Sequence, residues 1–122
     1  MLQIVTPIQN QRISEELFTI QVALPGTISP SQTVSIAIGL QHCGSKPCPV
    51  ADDDEILGEI LFAGDFKPKR GDPTMPAYQN FTFNASDVTS SGHATIHIAQ
   101  FFLLGAGPSA TLDIRNVSVR FQ

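Results

Sequence analysis

The chain has 122 residues, 42% hydrophobic and 15% charged, with a formal net charge of -4. That length suits one domain able to bury about two thirds of its unfolded surface, and apolar content this high beside so little charge excludes a disordered segment. Lys and Arg cluster only at Lys67-Pro68-Lys69-Arg70, which excludes a phosphate-backbone binder, and no apolar run approaches the ~20 residues of a membrane-spanning helix.

Read in chain order, the elements are strands. Leu2–Thr6 opens the chain as an edge strand, and Met1 before it reads as an initiator on a mature chain whose signal peptide has been removed, with a cytosolic protein as the alternative. Phe18–Leu24 alternates large apolar groups with polar or small ones, the period-two signature of a half-buried strand, and Pro25-Gly26 stops it. Val34–Leu40 repeats the pattern with Ser35, Ala37 and Gly39 on its alternate face, small enough to let another backbone approach, and reads as a central strand. Ile56–Phe62, Tyr78–Phe83, Ala94–Leu104 and Thr111–Phe121 complete about seven strands. Turns fall at Gly64-Asp65, Gly71-Asp72-Pro73, Ser91-Gly92 and Gly105-Ala106-Gly107-Pro108, and no stretch sustains a helical period. The expected architecture is all-β: one domain over residues 1–122, an antiparallel Greek-key β-sandwich of immunoglobulin-like type, without the Trp of antibody cores.

The last strand breaks phase. Leu112 and Ile114 share one parity, while Val117, Val119 and Phe121 share the other. A β-bulge near Arg115-Asn116 is expected to turn both sets inward.

Three of the four asparagines open sequons, at Asn80-Phe81-Thr82, Asn84-Ala85-Ser86 and Asn116-Val117-Ser118. All three fall on outward strand positions, as candidate N-glycosylation sites of a secreted protein. Cys43 and Cys48 lie in a Gly- and Pro-containing segment that closes a tight loop, so a disulfide is expected, with reduced thiols as the alternative.

Catalytic and metal chemistry find little support. His93 and His97 share a strand face but stand ~13 Å apart, too far to share one ion. Asp52-Asp53-Asp54-Glu55 lacks the alternation and central Gly of a calcium loop and reads as a solvated acidic loop. Neither a nucleophile elbow nor a phosphate loop occurs. We expect no enzyme activity, metal or cofactor. A sugar-stacking platform would draw on no Trp and a single Tyr, which weakens a carbohydrate or cell-wall binding module but keeps it as the alternative function.

Several blocks carry a further signal: Val34–Leu40, Cys43–Cys48, Leu57–Phe66, Tyr78-Gln79-Asn80-Phe81-Thr82 and Phe102–Pro108. From about residue 34 onward the chain resembles the fungal necrosis-inducing secreted protein family. The resemblance implies a secreted, non-enzymatic effector that contacts or enters plant tissue. Such an effector binds receptor-associated immune kinases, suppresses pattern-triggered immunity and provokes host cell death. The resemblance brings no binding residues with it. The long, charged connections His42–Glu55 and Gly64–Pro76 are the expected partner-binding loops, through Lys46, Asp52, Asp53, Asp54, Glu55, Lys67, Lys69 and Arg70.

Overall fold

The computed structural model describes residues 2–25, 31–49, 58–105 and 109–122. Their alternating apolar pattern folds into eight strands and one helical turn: β1 (Gln3–Thr6), β2 (Gln11–Ile13), β3 (Leu17–Leu24), β4 (Ser31–Gly44), β5 (Glu59–Gly64), β6 (Ala77–Asn84), α1 (Ala85–Val88), β7 (Gly92–Leu104) and β8 (Ser109–Phe121). Two sheets result, with strand orders β1-β3-β6 and β2-β8-β7-β4-β5. The chain crosses between them after β1, β2, β3, β5 and α1, and the short hairpin β7–β8 keeps both its strands in the larger sheet. This is the predicted Greek-key sandwich.

Every second residue of the long strands points into the space between the sheets. Phe18, Ile20 and Val22 of β3 and Phe81 of β6 meet Ile36, Ile38 and Leu40 of β4, Ala94, Ile96 and Ile98 of β7, and Val117, Val119 and Phe121 of β8. Phe18 ties the layers together: its ring packs edge-on against Phe121 at 5.2 Å and tilted against Phe83 at 5.8 Å. Phe62 and Phe81 make a second cross-sheet pair at 4.9 Å. Aromatic pairs in these orientations contribute about 0.5–1.5 kcal/mol each beyond their buried area.

Two small elements were not anticipated. β2 is three residues long and lies parallel to β8, with Gln11 opposite Val119 and Ile13 opposite Phe121. α1 is a single turn in which the side-chain oxygen of Asn84 accepts the backbone N–H of Ser86, the usual way a first turn satisfies an otherwise unpaired donor.

One strand departs from expectation in a way that matters for function. β8 pairs with β7 in unbroken register from Ser109↔Leu104 to Phe121↔Gly92, so the bulge expected near Arg115-Asn116 does not form. Strict alternation therefore leaves Leu112 and Ile114 on the outer face, with Leu112 59% exposed. The inward parity in this half of β8 belongs instead to Asp113 and Arg115, which pair at 3.0 Å. Asp113 also accepts the backbone N–H of Leu2 at 3.0 Å. The polar groups are thus used at the rim to fasten the chain's opening segment, and the aliphatic ones face outward.

Candidate binding surfaces

Cys43 is the penultimate residue of β4, and Cys48 follows after a turn at Gly44, whose φ of 79° places it in the left-handed region that glycine tolerates. Their sulfurs are bonded, with Cα atoms 5.3 Å apart, as the sequence led us to expect. The loop carries Lys46 exposed at its tip and folds back so that Pro47, Cys48 and Pro49 lean over β7 and β8. Between them lies an open groove of about 470 Å³, lined also by His93, Asn116 and Arg120. Behind the loop, Thr89 Oγ1 and Ser90 Oγ lie 3.3 and 3.2 Å from the two ring nitrogens of His42. These two hydroxyls hold the exposed imidazole ring between them. Among the described residues no group of three or more His, Cys, Asp or Glu is placed to hold a metal ion. Asp52, Asp53, Asp54 and Glu55 lie outside the described residues.

The second predicted loop is elsewhere. Phe66 is buried and anchors the connection between β5 and β6, Lys67 donates its backbone N–H to Gln79 Oε1, and Lys69 exchanges backbone hydrogen bonds with Tyr78. Asp72 closes a tight turn by accepting both the N–H and the hydroxyl of Thr74, and these bonds hold its carboxyl below the usual aspartate range. Lys67, Lys69 and Arg70 are exposed. The Lys67–Asp65 pair, at 3.9 Å with both side chains about three quarters exposed, contributes little. Lys69 sits beside the start of β6, whereas His42 and the disulfide loop sit at the α1 end of the sandwich. Six residues of strand, about 20 Å, separate the two, so the charged loops do not form one surface.

What sequence reasoning did not identify is the outer face of the five-stranded sheet. Ala37, Ile60, Ala99, Phe101, Leu112 and Ile114 share it by register. Ile60 is 56%, Leu112 59% and Phe101 38% exposed. Ser35, Ala37 and Gly39 keep its centre flat, and between Phe101 and Gln41 it carries no charged residue among those described. The inverted alternation of Leu112-Asp113-Ile114-Arg115 was the available signal, read instead as a bulge.

The three sequons all reach solvent to different extents. Asn80 and Asn116 are exposed and Asn84 is half-buried as the cap of α1.

Murine CRIg superposes on the whole chain with a TM-score of 0.56 at 11% identity, over 98% of its own length. The chain has the immunoglobulin-like fold. An engineered protein gives a TM-score of 0.51 at 12% identity over the whole chain, which spans only 20% of that protein. Identities this low show shared architecture alone. No family model and no curated protein matches the sequence.

Proposed function

We propose that the protein is a secreted fungal effector that binds receptor-associated immune kinases of a plant host and so suppresses pattern-triggered immunity, with host cell death as a further outcome. It works by recognition, without chemistry of its own. One observation supports this reading above the others: the outer face of the five-stranded sheet presents Leu112, Phe101 and Ile60 to solvent, and among the described residues the only charge on it, Arg120, stands at the opposite end from Phe101 and Leu112. Exposed apolar groups gathered on a flat, uncharged face mark a protein-docking surface. The disulfide loop stands at the other end of the same sheet, about eight residues of strand from Phe101 and Leu112, and the connection that carries Lys67, Lys69 and Arg70 leaves the sheet at Gly64, opposite Ile36.

The test is capture of immune co-receptor kinase domains by the wild-type protein, by a Leu112→Lys/Phe101→Lys variant, and by a chain whose residues 67–76 are replaced with Gly-Ser. We expect capture to fall at least tenfold in the face variant and to persist in the loop variant. Equal capture by wild type and face variant would refute the assignment. The alternative, a carbohydrate-binding module, draws on paired exposed rings; Tyr78 and Phe101 stand on different sheets and do not make such a pair.

A further inference from the structure

We propose that an N-linked glycan on Asn80 guards the open edge of the three-stranded sheet against strand addition. β6 is the edge strand of that sheet. On one side it is fully laddered to β3, from Leu17↔Asn84 to Leu24↔Ala77. On the other, the described residues give its backbone a single partner, Lys69, which bonds both backbone groups of Tyr78 at 2.9 and 3.0 Å, beside a bond from the Lys67 N–H to the Gln79 side chain. In an antiparallel ladder the N–H and C=O of one residue point the same way and the direction alternates along the strand. The backbone groups of Asn80 and Thr82 therefore point to the open side, where no described residue takes them.

An edge like this is a template for pairing with another chain unless something blunts it. The other edges are blunted. β1 has four residues and an irregular register, β2 has three, and β5 carries an irregularity opposite Ile38-Gly39 as well as Glu59. β6 alone is long and regular. Its run Tyr78-Gln79-Asn80-Phe81-Thr82-Phe83-Asn84 holds three aromatics and no charge, Pro or Gly, the composition of segments that stack into sheets.

The sequon supplies the missing guard. Asn80 is exposed on the outer face, and its Oδ1 accepts from Gln21 Nε2 at 2.9 Å. That bond orients the amide, and Nδ2 has no other partner among the described residues. During secretion, Nδ2 attacks the anomeric carbon of a lipid-pyrophosphate-linked oligosaccharide. A nitrogen–carbon bond forms, the carbon–oxygen bond to the pyrophosphate breaks, and the lipid pyrophosphate and one amide proton leave. An added strand would place a side chain about 4.5–5.5 Å from the Asn80 Cβ, in the space that the first sugar ring fills. Around the site the face is already polar: Thr19 and Thr82 share a hydrogen bond of 2.9 Å, so the sugar covers an edge rather than an apolar patch.

This inference rests on the secretory part of the function proposed above and is independent of any host partner, so the two readings fail separately. The experiment expresses the full chain behind a signal peptide in yeast. Site occupancy is measured by glycopeptide mass spectrometry, and association by light scattering after size exclusion. We expect Asn80 to be occupied and the wild type to be monomeric. Asn80→Gln and Thr82→Ala, which remove the sugar in two ways, should raise the associated fraction at least fivefold at equal concentration. Asn80→Gln/Thr82→Lys should return to monomer because a charge on the edge replaces the sugar, and Asn116→Gln should behave as wild type. An unoccupied Asn80 overturns the proposal. So does an Asn80→Gln protein as monomeric as wild type, or association that Thr82→Lys leaves unchanged.

Discussion

Replacing Leu112 with Ser separates the two possible geometries of β8. Leu112 keeps 59% of its surface exposed, so about two fifths is covered. Full burial of a leucine is worth ~1.5–3 kcal/mol, which puts the loss on substitution at about 1 kcal/mol. Had a bulge turned this residue inward, the cost would resemble that of a core truncation, about 2–5 kcal/mol for an aliphatic side chain. Phe121→Ala on the same strand provides the internal standard. Phe121 is 3% exposed and packs against Phe18, and its removal should cost about 3–5 kcal/mol. Urea unfolding followed by far-UV circular dichroism measures both losses on one scale. For a domain of this size each kcal/mol corresponds to roughly 3–5 °C in Tm, so the variants should separate clearly in thermal melts too. A Leu112→Ser loss as large as that of Phe121→Ala would refute the outward placement, and with it the docking face.

Cys43→Ser/Cys48→Ser should lose about 2 kcal/mol, the chain-entropy value for so short a ring, and keep its far-UV spectrum. Gly92 has a φ of 128°, and a Cβ there would lie 2.6 Å from the Gly44 carbonyl oxygen, so Gly92→Ala should cost about 3 kcal/mol or more in chemical denaturation. Gly105→Ala, at a φ of 94° with nothing within 4 Å, meets backbone strain alone and should cost less. The Asp72 carboxyl, lowered first by the Thr74 N–H and then by its hydroxyl, should titrate by NMR below the ordinary aspartate value. A depressed folded-state pKa means that its turn is intact above the ordinary aspartate range and loosens as pH falls through the lower folded value. Thr74→Val, which keeps the larger backbone bond, should recover only part of the shift.

The strands that sequence reading located best are those whose neighbours on both sides impose burial. Phe18–Leu24 and Ala94–Leu104 alternate because one face meets the opposing sheet, and that constraint is local and visible. β2 escaped because three residues show no period, and its position depends on a parallel partner more than a hundred residues away. The first half of β8 misled for a related reason. Asp113 takes an inward parity because it receives the N–H of Leu2, a tertiary contact with no trace in the residues around it. Among candidate sites, the Cys43–Cys48 loop was legible from its Gly and Pro residues. The outer sheet face was not, since an exposed aliphatic and a buried one look alike until the register is known.

The position of the disulfide has a consequence for where the molecule can survive. Its two sheets are not stapled to each other; Ile20 and Val22 face Ile96 and Ile98 across the interior, and the bridge closes only a ring at one end of β4. Oxidation therefore shapes a loop without underwriting the architecture. Such a domain should fold in a reducing cytoplasm as well as outside the cell, changing the contour of one margin while the frame stays intact.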